Sequence, residues 1–201
     1  MRVNQCVGCR EFPCRDVRHE SYVVPEVNLE PSKIRMVMVS EAAPHDPADH
    51  YYAPGEPLFG RTTLQAFRDA GADVSSVRDL LRRGIYLTAA VKCGKKAYAI
   101  GTATVKQCSE LLDQELALFP RLAVIMLMGD VAIGAVNQIA RSAEEGRVIP
   151  SGPTYKVRKG RYSWRGRRVY PSYLQAGPAF FIEKSKRRMI AEDLEHAPAL
   201  I

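Results

Sequence analysis

The sequence predicts an α/β fold built on a central sheet. Three stretches carry that prediction: "KIRMVMVS" (Lys33–Ser40), "IYLTAAVKC" (Ile85–Cys93) and "LAVIMLM" (Leu122–Met128). Each is a short apolar run, the pattern of a strand buried on both faces, and stretches of helical periodicity separate them. With 201 residues, 46% of them apolar and 25% charged, the chain has the size and composition of one globular domain spanning 1–201.

The elements follow in order. Residues 1–30 read as an irregular, cysteine-bearing extension that needs a tether. The first strand runs into "EAAPHDPADHYYAPGEPLFG", a loop rich in Pro, Gly and acidic residues, and loops of this length inside a compact domain are usually functional. "RTTLQAFRDAG" and "SSVRDLLRRG" read as helices ending at Gly71 and Gly84. After the second strand, Thr104 and Gln107 have capping-box spacing. The helix they open carries Val105, Cys108, Leu112, Leu116 and Phe119 on one stripe and stops before Pro120. The third strand leads to "GDVAIGAVNQIARSAEEG", a helix with Asp130 as its expected N-cap. A basic hairpin turning near Lys159–Gly160 is expected next, then a strand and loop in "RRVYPSYLQAG" and a terminal helix in "FIEKSKRRMIAEDLEH". In such a sheet, ligands bind outside the carboxyl ends of the strands, so "VSEAAP", "TAAVKC" and "VYPSYL" mark the expected site.

Charge narrows the partners. Within a net charge of +7, residues 151–170 hold Lys156, Arg158, Lys159, Arg161, Arg165, Arg167 and Arg168 with no acidic residue, and Tyr155, Tyr162 and Trp164 are interleaved. Cations for phosphates beside aromatics for bases suit nucleic acid; a solvated basic hairpin suits the same residues. No apolar run approaches the roughly 20 residues of a membrane span, and the N-terminus lacks an apolar signal core, so the expected compartment is the cytoplasm. A reducing compartment argues against a disulfide framework for Cys6, Cys9, Cys14, Cys93 and Cys108. Their clustering points to metal or cluster ligation with one thiol left over, and four thiolates suit zinc or an iron–sulfur cluster.

Taken together, the motifs resemble the iron–sulfur (family 4-like) branch of the uracil-DNA glycosylase superfamily, from Cys6 to about Leu194. Cys6 and Cys9 match its C-x-x-C pair. "SEAAP" (Ser40–Pro44) stands for "GEAPG", and "GEPLFG" (Gly55–Gly60) for "G-x-P-F-x-G" with the phenylalanine one place later. "TAAVKC" stands for "T-N-x-V-K-C", with Cys108 following; "MLMGDVA" matches the buried strand into "G-x-x-A", and "YPS" (Tyr170–Ser172) the "H-P-[SA]" motif.

The resemblance implies a three-layer α/β/α fold with a central, mostly parallel four-stranded sheet. It implies a [4Fe–4S] cluster on Cys6, Cys9, Cys93 and Cys108, tying the N-terminus to the basic loop 94–101, with Cys14 spare. It makes Glu41 and Tyr170 the catalytic residues and Ala42, Phe59 and Ala89 the base-binding ones, Phe59 by stacking. DNA, duplex or single-stranded with an extruded base, would meet Lys95, Lys96, Arg165, Arg167, Arg168, Ser172, Tyr173 and Gln175. The protein is expected to act as a monomer. His45, Asp46, Asp49 and His50 in the long loop are further candidates to assist. Two departures bear on substrate: Ala89 stands where the family has a base-reading Asn, and Tyr170 where it has His. The expected activity is hydrolysis of the N-glycosidic bond of uracil or another deaminated or damaged base in DNA. The alternatives are nucleic-acid binding without excision, and action on a free nucleoside or nucleotide.

Overall fold

The computed structural model describes residues 1–97 and 99–197. Among the described residues, six strands form one sheet: β1 (Val17–Arg18), β2 (Met36–Ala43), β3 (Ile85–Lys95), β4 (Val124–Met128), β5 (Tyr162–Trp164) and β6 (Arg167–Ser172). Their order is β1-β3-β2-β4-β6-β5. The four inner strands are parallel, as expected, while β1 and β5 add short antiparallel edges.

Alternation along the strands sorts the side chains into two apolar layers. Val37, Val39, Ile125, Leu127 and Val169 face α3 (Thr102–Ala117) and α4 (Asp130–Ser142), meeting Leu112, Leu116, Val136 and Ile139. Met36, Met38, Leu87, Met126 and Met128 face α1 (Leu58–Asp69), α2 (Val77–Arg82) and α7 (Lys184–His196), meeting Phe67, Leu80, Ile190 and Leu194. Helices on both faces of a mostly parallel sheet make the three-layer α/β/α arrangement. Among the described residues no helix is long and apolar enough to cross a membrane.

Four local expectations change. The basic hairpin turns at Arg165–Gly166, not at Lys159–Gly160, because Thr154–Val157 coils into a helical turn, α5, ahead of it. Arg165 (φ 48°) and Gly166 (φ 74°) are both left-handed, the requirement of the two-residue turn whose twist matches the strands. Helix α4 is capped by Gly129, and Asp130 is its first residue, accepting a hydrogen bond from Thr154 Oγ1 at 3.0 Å. Helix α3 begins at Thr102, so Thr104 lies inside it. Its cap comes from far away in sequence: Asp16 Oδ2 accepts from Gly101 N at 2.6 Å, and Asp16 Oδ1 accepts from Thr104 Oγ1. These bonds hold the Asp16 carboxyl below its ordinary range, the Thr104 bond most of all. The terminal helix is broken at Glu183 into α6 (Ala179–Ile182) and α7.

Candidate active site at the carboxyl ends of the parallel strands

Ser40 of β2 lies opposite Ala89 of β3, and Met128 of β4 opposite Ser172 of β6. Met128 and Ser172 end β4 and β6, and Ser40 lies one residue past the last β2–β4 pair, at the edge where an α/β sheet presents its ligand site. Glu41, one residue past Ser40, leans toward the α3–α4 layer. Its side chain is 15% exposed, and Oε2 lies 2.5 Å from Lys95 Nζ. Its other oxygen packs onto Gly129, where a Cβ would stand 2.6 Å from Oε1. Gly129 (φ 103°) is also the cap of α4, so the carboxylate faces the end of a helix that attracts negative charge. A carboxylate held from two sides in this way can stabilise a cationic sugar or orient water.

A second group lies on the opposite face of the sheet. Ser40 Oγ donates to Thr88 O at 3.1 Å, and the Tyr51 hydroxyl bonds to Ser40. Gln175 Nε2 donates to Tyr51 Oη at 3.1 Å and to Thr63 Oγ1 at 3.4 Å. Gln175 Oε1 is buried without a partner. Phe59, near the start of α1, packs its ring 5.4 Å from that of Tyr51 and lies beside Gly177. Burial pushes the Tyr51 phenol well up, keeping it a neutral hydrogen-bonding group. A groove of about 970 Å3 between the long loop and α1–α2 runs up to Tyr51 and Tyr52.

Beneath Ala89 runs a buried charged network. Lys92 Nζ donates to Glu115 Oε2 at 2.5 Å, to Ala89 O at 2.6 Å and to Thr88 Oγ1 at 2.9 Å. Tyr86 donates to Glu115 Oε1 at 2.6 Å. Both members of the pair are almost completely enclosed. Their signals in the sequence were a lysine inside an apolar strand and a glutamate beside Leu116 on the apolar stripe of α3. Neither is among the expected site residues.

The remaining expected site residues fall into separate places. Tyr170 pairs with Met126, two residues before Ser172, and lines a cavity of about 910 Å3 with Lys159, Arg161, Arg168 and His196. The Arg168 guanidinium stands 5.2 Å over its ring. The structure does not bring Tyr170 together with Glu41 or Phe59. Ala42 packs with Val17, Val91, Cys93 and Cys108 in a buried apolar layer. Ala89 is buried, with its carbonyl taken by Lys92.

Of the residues expected to meet DNA, Ser172 is fully enclosed and donates to Asp193 Oδ2 at 2.5 Å. Burial pushes the Asp193 carboxyl up, against the pull of Arg158 and Ser172. Gln175 is likewise enclosed, so of the three residues expected to meet DNA here only Tyr173 is not buried, and its ring lies 5.6 Å from Lys186 Nζ. Lys95 is engaged by Glu41, and Lys96 Nζ donates to Arg15 O at 3.0 Å. Arg165 pairs with Glu145 and Asp113 and stacks on Trp164. Arg167 is half-buried, and desolvation lowers its guanidinium from the ordinary value.

The long loop uses its polar residues for its own shape. Asp46 accepts from Ala48 N at 2.9 Å, and Asp49 accepts from Leu58 N at 3.2 Å, capping α1. The His45 carbonyl accepts from Ser21 Oγ at 2.5 Å. His50 is buried against Tyr51 and Tyr52, and burial, assisted by Lys92, lowers its imidazole to about 3.

Cys93 and Cys108 are buried, Cys9 and Cys14 partly so, and Cys6 is exposed. Burial pushes the Cys93 thiol up to about 12 and raises that of Cys108 as well. Among the described residues no three His, Cys, Asp or Glu side chains stand close enough to hold a single metal ion. Tyr98 of the basic loop 94–101 lies outside the described residues.

No curated protein matches the chain. The sequence model of the uracil DNA glycosylase superfamily matches residues 28–192, from ahead of β2 into α7 and across the Glu41 and Gln175 groups. With this span matched and the sheet in place, the chain belongs to the uracil DNA glycosylase superfamily.

Proposed function

We propose that the protein is a DNA glycosylase that hydrolyses the N-glycosidic bond of a deaminated or damaged base, with Glu41 as its acidic residue. The observation that carries this reading is the fixing of Glu41 at the carboxyl end of β2 by Lys95 and Gly129. Bond cleavage leaves positive charge on the sugar, and a carboxylate already oriented needs no rearrangement to meet it. Lys95 holds that carboxylate, and water attacks the cationic carbon from the side it commands.

Choice of base falls to the Ser40–Tyr51–Gln175–Thr63 network, since Ala89 offers no side-chain hydrogen bond. The unpartnered Gln175 Oε1 supports this, because an acceptor at the pairing edge favours a base with a ring N–H. Uracil, hypoxanthine and xanthine carry that N–H; cytosine and adenine present a bare ring nitrogen instead. A [4Fe–4S] cluster on four of the cysteines belongs to this reading. The chemistry of the donor set fits it: thiols from the N-terminal segment meet a buried layer holding Cys93 and Cys108. The cluster would tie that segment down.

A second reading, DNA binding without excision, is favoured by one observation: the cavity that Tyr170 lines does not include Glu41. Single-turnover assays on duplex and single-stranded oligonucleotides carrying uracil, hypoxanthine or xanthine separate the two. Release of base that Glu41→Gln abolishes supports the glycosylase. Salt-sensitive DNA binding with no release supports the second reading, and no binding at low salt defeats both.

A further inference from the structure

We infer that the thiolates of the cluster are Cys9, Cys14, Cys93 and Cys108, with Cys6 outside the set. The inference rests on the cluster reading above and changes which residues serve it. Cys93 and Cys108 are packed with Val17, Ala42 and Val91, and Cys14 packs against this same layer together with Phe12 and Tyr22. Cys9 joins through Tyr22, whose hydroxyl accepts from Cys9 N at 2.7 Å. Cys9 and Cys14 are each within electrostatic reach of both buried thiols.

The path of the backbone explains why Cys14 arrives there. Two residues past it, Asp16 is bonded to Gly101 N and to Thr104, one helical turn ahead of Cys108 on α3. The next two residues, Val17 and Arg18, pair with Lys95 and Gly94 beside Cys93. The segment carrying Cys14 is therefore stitched to both elements that carry the buried thiols. Between Cys9 and Cys14 the chain reverses at Phe12, which takes a left-handed backbone (φ 46°) costly for a residue with a side chain. The Phe12 ring is held against His19 and Tyr22, at 5.3 and 4.9 Å.

Cys6 is anchored elsewhere. It closes a short 3-10 turn, and its thiol donates to Arg2 O at 3.7 Å. Arg2 bridges to Asn28, Leu29 N donates to Met1 O, and Val3 and Val7 pack into the α3–α4 layer of the core. These contacts hold the Cys6 turn to residues 28–29, and none of them involves the thiol layer.

The test is iron and acid-labile sulfide content with visible absorbance, after anaerobic purification of the wild type, Cys6→Ala and Cys14→Ala. Cys6→Ala is expected to keep the wild-type content, roughly four irons per chain, and Cys14→Ala to lose most of it. Because Cys14→Ala can fail by misfolding, alkylation of the native wild type provides an independent readout by mass spectrometry. Cys6 is expected to be modified first, and the other four only after the cluster is oxidised away. Loss of iron in Cys6→Ala with retention in Cys14→Ala, or protection of Cys6 in the native protein, overturns the ligand set and leaves the cluster intact. Zinc in place of iron, with the same pattern across the variants, overturns the cluster and supports the ligand set. A wild type carrying neither metal overturns both.

Discussion

The Glu41 carboxylate lies directly on the Cα of Gly129, so that a methyl group added at 129 would stand 2.6 Å from Oε1 and 2.7 Å from Cγ. The glycine is demanded twice, by this contact and by its left-handed φ of 103°. Gly129→Ala is expected to cost about 1–3 kcal/mol of stability, the range for strained backbone. At equal folded fraction it is also expected to reduce base release about as far as Glu41→Gln does, because the carboxylate must leave its place. Urea titration followed by single-turnover kinetics checks the two effects separately.

Lys92 and Glu115 are a buried pair with every charge matched inside the protein. Lys92→Met leaves Glu115 enclosed and unpaired, which is expected to cost about 3–5 kcal/mol. The double variant Lys92→Met/Glu115→Leu is expected to recover part of that loss, because removing both charges also removes their desolvation cost. Chemical denaturation of the single and double variants measures the coupling.

His50 contributes a pH dependence of definite sign. Its imidazole is neutral in the folded protein down to about 3 and titrates near its ordinary value when unfolded. Between those limits the unfolded chain binds the extra proton. The stability His50 contributes is whole above about pH 6.5 and falls as the pH drops, by up to about 1.4 kcal/mol per unit. His50→Gln is expected to flatten the fall of Tm between pH 6.5 and pH 4 relative to the wild type.

The basic segment divides by what its cations already hold. Arg165 pairs with Glu145 and Asp113, whereas Lys159 and Arg161 line the open cavity beside Tyr170. Replacing Lys159 and Arg161 together with Ala is expected to weaken DNA binding and reduce the salt slope by about 1–2. Arg165→Ala is expected to leave the slope unchanged. Fluorescence anisotropy across a salt series separates the two variants.

The parallel strands were legible because burial on both faces writes itself as continuous apolar runs, and the motif at the end of the first marked Glu41 as a candidate. What it hid depended on contacts between distant segments. Asp16 looked like any polar residue of an irregular extension, yet it caps a helix that starts at Thr102. Gln175 sat in a loop that reads as solvent-facing, and only the packing of Tyr51 and Phe59 encloses it. The hairpin turn was missed because arginine is an unusual occupant of a left-handed position, so Arg165–Gly166 carried less signal than Lys159–Gly160.

The cap that Asp16 provides sets a lower limit on how the protein can be cut. The superfamily match begins at residue 28, so a fragment designed on that boundary discards Asp16, the β1 edge and Cys9 and Cys14 together. Such a fragment would start α3 with bare amide groups and leave Ala42, Val91, Cys93 and Cys108 facing water. The extension behaves as a missing wall of the domain rather than an appendage, and expression trials should keep it whole.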